Sequence, residues 1–144
     1  MLYFAYGSNL DTRQMAARCP DAQIVGPAVL RHFALCFTGY SPMRGGAVAS
    51  LAKRRGFATP GLVYSLSKRD LMRLDGFEGY PFAYDRFTAE VQLLRGAPTE
   101  ALVYINNNQA RGVSGRDYLN TIANAYDRLG FDRQPLQLAT WGLT

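Results

Sequence analysis

The chain has few of the side chains on which most metal and redox sites depend. It contains one histidine, His32, and two cysteines, Cys19 and Cys36. One imidazole and two separated thiols cannot supply a standard zinc site, and two thiols do not make a disulfide framework. We therefore expect no metal site, a reducing cytoplasmic location, and a buried Cys36 within its apolar run.

Long apolar runs are missing too. No stretch approaches the roughly 20 residues that span a bilayer, and no basic segment precedes an apolar one at the N-terminus. The formal net charge is +5, but the basic residues are scattered except at Lys53-Arg54-Arg55, which we interpret as a solvated loop. These patterns predict neither a membrane nor a nucleic-acid partner, so nucleic-acid binding is the weakest alternative.

Several catalytic classes have no motif in this chain. A Ser-His-Asp triad would have to use His32, and no serine lies in a Gly-x-Ser-x-Gly elbow. The chain has no phosphate-binding loop, and Gly7-Ser8-Asn9 lacks the further glycines of a dinucleotide fingerprint. Acid–base chemistry by a single carboxylate remains.

The three glutamates differ in their surroundings. Glu90 lies on the polar side of an alternating strand and Glu100 opens a strand, so both are predicted at the surface. Glu78 lies among aromatic residues and glycines just past a predicted helix. In such a pocket a carboxyl group loses hydration and its pKa rises toward neutrality, which suits a general acid or base. The alternative is that Glu78 caps its loop or pairs with Arg86.

The N-terminal stretch YFAYGSNL joins a strand-forming aromatic segment to turn-forming residues. Gly7 allows a tight turn, and Ser8 or Asn9 could cap a helix that starts near Asp11. A strand, a turn and a helix start would point several backbone N–H groups into one space, which suits a carboxylate or an oxyanion. An ordinary N-terminal turn is the alternative.

Alternating and helical patterns predict the remaining elements. The predicted strands are Leu2–Tyr6, Ala22–Val25, Ala28–Phe37, Ala47–Ala52, Gly61–Leu66, Phe87–Leu94 and Glu100–Ile105. The predicted helices are Asp11–Arg18, Lys68–Leu74 and Gly115–Leu129, of which the last has an apolar stripe that we expect to pack on the sheet. No linker or repeat divides the chain. We predict one α+β domain over residues 1–144, a small curved mixed β-barrel with peripheral helices.

Two motifs resemble the γ-glutamylcyclotransferase-like family, on its side of AIG2-like proteins and γ-glutamylamine cyclotransferases. They are Tyr6-Gly7-Ser8-Asn9-Leu10 and the segment Leu74–Pro81 around Glu78, and the resemblance extends over nearly the whole chain. It implies the barrel of that family and a reaction that needs no cofactor. The α-amine of a γ-glutamyl substrate attacks its own γ-carbonyl and releases 5-oxoproline and an amine or amino acid, with Glu78 as general acid/base.

The same resemblance implies a set of substrate-binding residues: Tyr6, Gly7, Ser8, Asn9, Leu10, Tyr84 and Tyr104. The loop residues would act through their backbone N–H groups, and the tyrosines would contact the substrate or orient Glu78. For Tyr84 and Tyr104 a half-buried structural aromatic is the alternative. Asn9 replaces the leucine usual in the glutathione-specific branch, which argues against that branch.

The expected partner is thus a small γ-glutamyl molecule, and its leaving group, like the oligomeric state, is open. We expect Ser41–Gly46 and Asn106–Arg111 to line the variable side of the pocket. A non-catalytic protein that binds a γ-glutamyl metabolite on the same fold is the alternative function.

Overall fold

Five strands close into a barrel in the computed structural model, which describes residues 1–144. They are β1 (Leu2–Ala5), β2 (Gln23–Ser41), β3 (Gly46–Ser65), β4 (Tyr84–Leu93) and β5 (Pro98–Asn106), in the barrel order β1-β3-β2-β4-β5. Neighbours pair antiparallel except β1 and β5, which pair in parallel. The predicted mixed barrel is confirmed.

The long hairpin of β2 and β3 was predicted as four shorter strands, and that prediction is wrong. The predicted break at Gly26-Pro27 lies beside a shift of register between Ile24 and Gly26, and a second shift falls at His32, between Arg31 and Phe33; β2 bulges at both places but continues. His32 has a φ of 65°, which belongs to such an irregularity. Bulges bend and twist a strand without ending it. Lys53-Arg54-Arg55 accordingly lies in β3 and not in a loop, although its side chains are exposed as expected.

The helices are α1 (Thr12–Arg18), α2 (Lys68–Glu78), α3 (Arg116–Leu129) and α4 (Gln134–Thr140), and a 3-10 turn spans Ser8–Leu10. The cap of α1 is Asp11, whose carboxylate accepts the Arg13 N–H at 3.0 Å, so neither Ser8 nor Asn9 has the predicted capping role. Because Gly79 rather than Gly76 adopts the left-handed conformation that ends a helix, α2 is a full turn longer than predicted.

The core lies inside the barrel and beneath α3. The predicted stripe of α3 is confirmed: Tyr118, Ile122, Ala125 and Tyr126 are buried in the same apolar cluster as the strands. The short helix α4 buries Leu136 and Ala139 in that cluster. It was not predicted, because it is too short to show a long periodic pattern in the sequence.

Both cysteines are free and buried, as expected for Cys36. Burial raises the pKa of the Cys19 thiol to about 11, so the thiol is protonated at neutral pH. None of the helices combines the length and the apolarity that crossing a membrane requires. The cytoplasmic location stays a prediction.

Tyr126 offers a test of the core, because its hydroxyl is buried without a hydrogen-bond partner. A buried polar group left unpaired costs about 1 to 3 kcal/mol. We therefore expect Tyr126→Phe to leave the free energy of unfolding unchanged or to raise it by up to about 1 kcal/mol, measured by urea denaturation. Tyr64→Phe is the matched control, since it removes a hydroxyl that donates to the Asn9 carbonyl at 2.8 Å. The control should be less stable than the wild type, and equal losses in both variants would contradict the interpretation.

Candidate active site

A cavity of about 760 Å³ brings together residues that are distant in the chain. Its walls come from the loop after β1, the end of α2, the β2–β3 turn and the strands β4 and β5, and Tyr118 of α3 completes it. Six of the seven predicted substrate-binding residues line it together with Glu78: Tyr6, Gly7, Ser8, Asn9, Tyr84 and Tyr104. Residues of the predicted variable segments also lie there, among them Ser41, Arg44 and Asn106.

Leu10 is the predicted residue that the structure does not bring to the cavity. Its side chain is buried in the core, and its N–H donates to the Gly7 carbonyl at 3.0 Å within the 3-10 turn. Leu10 is therefore no longer a candidate substrate donor; it anchors the loop from below.

The loop leaves three consecutive backbone donors unused. The N–H groups of Gly7, Ser8 and Asn9 have no acceptor within the protein, because the first N–H groups of a helical turn have no preceding carbonyl to bond. All three residues line the cavity. Clustered N–H groups at a helix start favour an anion, so this wall suits a carboxylate or an oxyanion.

Gly7 is required for space, and not for the left-handed backbone conformation. Its φ is −113°, outside the left-handed region for which the sequence argument selected glycine. A Cβ at this position would approach the Ala49 Cβ to 3.0 Å, tighter than most real contacts of this kind. The absence of a side chain lets the loop pack directly against β3.

The side chain of Asn9 fixes the loop and has little capacity left for substrate. Its Nδ2 donates to the Tyr3 hydroxyl at 3.0 Å, and its Oδ1 accepts from Gln14 at 2.9 Å and from Arg18 at 3.3 Å. The residue is 3% exposed. Asn9 therefore shapes the turn through its side chain, while its N–H has no acceptor within the protein.

Glu78 is the only carboxylate among the residues that line the cavity. It is the last residue of α2, half-buried, and accepts no hydrogen bond that would stabilise its charge. Burial raises its pKa to about 7 from an ordinary 4.5, and the charges of Arg18 and Arg44 limit the rise. The carboxyl group therefore changes protonation state near neutral pH, as a general acid/base must.

Arg86 does not pair with Glu78, which was the structural alternative for this glutamate. Its guanidinium instead holds both oxygens of Asp75, at 2.7 and 2.8 Å. Asp75 also accepts the Tyr104 hydroxyl proton at 2.5 Å. Because Asp75 precedes Glu78 by one helical turn, these bonds tie the end of α2 to β4 and β5 and thereby set the position of Glu78.

The three predicted tyrosines have already committed their hydroxyl protons. Tyr6 donates to the Tyr104 carbonyl at 2.6 Å, Tyr84 donates to the Ala49 carbonyl at 2.8 Å, and Tyr104 donates to Asp75. Burial raises the pKa of each phenol above its usual range. Their rings line the cavity, and their hydroxyls form hydrogen bonds within the protein.

Sequence reasoning missed Tyr3 and Tyr118, whose hydroxyl protons are free. Tyr3 accepts from Asn9, Tyr118 accepts the Ala49 N–H at 2.9 Å, and neither hydroxyl donates to a protein group. Both line the cavity. Tyr3 lies in the N-terminal strand-forming segment and Tyr118 in the apolar stripe of α3, and both sequence patterns predict a buried side chain. No sequence signal separated these two tyrosines from ordinary core residues.

Comparisons with known proteins agree with this geometry. The sequence model of the family described as "Gamma-glutamyl cyclotransferase, AIG2-like" matches residues 3–121. A curated gamma-glutamylcyclotransferase from Bos taurus is 37% identical over 82 residues, which is 54% of this chain and 44% of that protein. The matched part thus spans less than half the length of that relative.

Two solved structures share the fold over almost the entire chain. One, named gamma-glutamyl cyclotransferase, has a TM-score of 0.86 at 27% sequence identity. The match covers 96% of this chain and 83% of the chain in that structure. The other, a human protein described as uncharacterized, has a TM-score of 0.85 at 28% identity with the same coverage. The expected barrel of this family is therefore confirmed.

The Asp75–Arg86 pair gives a stability prediction. Its two side chains are 23% and 26% exposed, so Arg86→Met leaves a largely buried carboxylate without its cation. We expect a loss of about 2 kcal/mol in the free energy of unfolding, measured by urea denaturation. Arg69→Met is the matched control, because the Arg69–Asp21 pair is 69% and 40% exposed and exposed pairs contribute less than about 1 kcal/mol. Equal losses in the two variants would refute the anchoring role.

Glu78 gives a prediction about pH. A carboxyl group whose pKa is higher in the folded than in the unfolded protein favours folding while protonated. That contribution is complete below pH 4.5 and is lost as the pH rises through about 7. Glu78→Gln removes the titration, so the variant should gain on the wild type by about 2 kcal/mol in free energy of unfolding between pH 5 and pH 8. Glu90→Gln, at an exposed position outside the cavity, should show no such trend. A gain of the same size in both variants would refute the assignment.

Proposed function

The chain belongs to the family of AIG2-like gamma-glutamyl cyclotransferases, and on that premise we propose that it releases 5-oxoproline from a small γ-glutamyl compound. The observation that carries the proposal is the meeting of two groups in one cavity. Glu78, whose pKa is about 7, shares the cavity with the unused N–H groups of Gly7, Ser8 and Asn9. One group can move protons near neutral pH and the other can hold negative charge.

The reaction begins at the α-ammonium group of the substrate. The Glu78 carboxylate takes one proton, and the neutral nitrogen attacks the γ-carbonyl carbon of the same molecule. A new C–N bond closes a five-membered ring, and the carbonyl oxygen becomes an oxyanion. Because nucleophile and carbonyl belong to one molecule, the cavity chiefly has to hold the substrate in a folded conformation.

The second half of the reaction breaks the original amide bond. Protonated Glu78 delivers its proton to the leaving nitrogen as that C–N bond breaks and the carbonyl re-forms. The ring nitrogen then gives up its second proton, again through Glu78, and the released amine departs as an ammonium ion. Both protons lost by the α-ammonium nitrogen end on the leaving nitrogen, so the reaction consumes no water.

Negative charge on the substrate is held by the loop and by two tyrosines. The N–H groups of Gly7, Ser8 and Asn9 bind the α-carboxylate or the oxyanion, where preorganised donors are most effective. The free hydroxyl protons of Tyr3 and Tyr118 supply further donors in the same cavity. Burial raises the pKa of Tyr118 to about 12, which keeps this phenol protonated while the reaction runs. Tyr6, Tyr84 and Tyr104 contact the substrate through their rings.

The test of this proposal is release of 5-oxoproline from a panel of γ-glutamyl amino acids and γ-glutamylamines. Glu78→Gln should lower kcat/KM by about 10² to 10⁴-fold, the usual contribution of a general acid/base. Wild-type kcat/KM should rise with pH through about 7, because the free enzyme must hold Glu78 as its base form. Glu90→Gln should match the wild type.

Full activity of Glu78→Gln would overturn the mechanism. Absence of product from every substrate, accompanied by thermal stabilisation of the wild type on substrate addition, would instead identify a binding protein on the same fold.

A further inference from the structure

Two guanidinium groups line the cavity, and neither forms an ion pair. Arg18 and Arg44 are the only cationic residues among those of the cavity wall, whereas the ion pairs of the structure involve Arg69, Arg86, Arg128 and Arg133. The cavity therefore contains one carboxyl group and two positive charges, so one positive charge is left in excess even when Glu78 is ionised. A charge excess of this sign selects for an anionic ligand.

Arg18 is already used by the loop. Its guanidinium donates to the Asn9 side chain at 3.3 Å and stacks over the Phe77 ring, with 4.9 Å to the centroid. These contacts hold the loop against the end of α2, so Arg18 has a structural partner on each side.

Arg44 has donors to spare. One terminal nitrogen donates to the Gln14 side chain at 2.9 Å, and the guanidinium stacks on the Tyr118 ring at 5.2 Å from the centroid. No other protein acceptor binds this guanidinium, and the residue is only half-buried. Since an arginine carries several N–H donors in a planar fork, donors suited to a carboxylate remain available in the cavity.

The backbone below Arg44 is fixed, so the guanidinium is not on a loose turn. The Arg44 N–H donates to Ser41 at 3.2 Å. A Cβ on Gly115 would lie 2.1 Å from the Arg44 carbonyl oxygen, and a Cβ on Gly46 would lie 2.4 Å from that of Val113. These two glycines allow the turn to pack directly on the segment before α3.

Large apolar side chains also line the cavity. Tyr40, Met43 and Phe82 line it and are 72%, 92% and 90% exposed. Met43 lies in the same turn as Arg44, and Tyr40 is near the end of β2, which leads into that turn. Exposed apolar groups at the mouth of a cavity are typical of a ligand-binding surface.

We infer that Arg44 binds a carboxylate on the leaving group, and that Tyr40, Met43 and Phe82 contact an apolar side chain of that leaving group. This inference rests on the proposed function, in which the loop N–H groups already hold the negative charge of the glutamyl half. The preferred substrates are then γ-glutamyl conjugates of large apolar amino acids, and not simple γ-glutamylamines.

The decisive comparison uses γ-glutamylphenylalanine and γ-glutamylphenethylamine, which differ only in the carboxylate of the leaving group. A hydrogen bond to a charged group contributes about 1.5 to 3 kcal/mol, so wild-type kcat/KM should favour the amino acid conjugate by about 10 to 100-fold. Arg44→Gln should reduce that ratio to near one, and Arg44→Lys should restore part of it. Arg13→Gln, at an exposed position of α1 outside the cavity, should leave the ratio unchanged.

The apolar contact is tested with γ-glutamylalanine. Wild-type kcat/KM should favour the phenylalanine conjugate by about fivefold, and Phe82→Ser should reduce this preference. Equal losses for γ-glutamylphenylalanine and γ-glutamylphenethylamine in Arg44→Gln would show that Arg44 binds the shared glutamyl half, which overturns the inference. A wild-type ratio near one would overturn it too.

Binding measurements keep this result separate from the proposed reaction. Calorimetry of Glu78→Gln, and of the same protein with Arg44→Gln added, gives Kd for both conjugates without turnover. If the wild type forms no 5-oxoproline but Kd still favours the carboxylate through Arg44, the reaction fails and the assignment of Arg44 stands. If neither Kd depends on Arg44, the assignment fails whatever the reaction.

Discussion

The buried amide of Asn9 is the interaction on which the rest of the cavity depends. It bonds to Tyr3 of β1 and to Gln14 and Arg18 of α1, while its carbonyl accepts from Tyr64 of β3. One side chain and its peptide group thus join two strands and a helix. Without those bonds the loop could turn its carbonyls inward, and the row of unused N–H groups would be lost. Through Gln14 the same network reaches Arg44.

Two kinds of tyrosine share this cavity. The hydroxyls of Tyr84 and Tyr104 donate hydrogen bonds to protein groups. The hydroxyls of Tyr3 and Tyr118 only accept a hydrogen bond from the protein, so their protons remain available. A phenol that is oriented by a bond to its oxygen can present its proton in a fixed direction. The sequence does not show whether a given tyrosine hydroxyl will donate or only accept, because the partner atom belongs to another helix or strand.

Much of the fold could be predicted from the sequence, and the errors share a physical cause. The strand alternation of β4 and the stripe of α3 are local patterns, and both were found. The continuity of β2 across Gly26-Pro27 depends on pairing with β3, which local signals for a turn conceal. The end of α2 was misplaced for a similar reason, since Gly76 and Gly79 look alike in sequence but only the second adopts φ of 67°.

The parts of the candidate site that lie within one continuous segment of the chain could be predicted from the sequence. The loop Tyr6–Asn9 and Glu78 were identified from motifs, and burial raises the pKa of Glu78 in the direction that the sequence predicted. The partner of Arg86 was not predictable, because Asp75 and Glu78 lie one helical turn apart and both are plausible carboxylates. Arg44 had no signal of its own beyond its place in a loop expected to vary.

The position of Ala49 has a consequence for how copies of this chain meet. Its N–H and its carbonyl point away from β2 and are taken by the hydroxyls of Tyr118 and Tyr84. A bare strand edge at this place would be a template for a strand of a neighbouring molecule. The hydroxyls of Tyr118 and Tyr84 occupy these positions instead, so the backbone of Ala49 offers neither a free donor nor a free acceptor to a neighbouring strand.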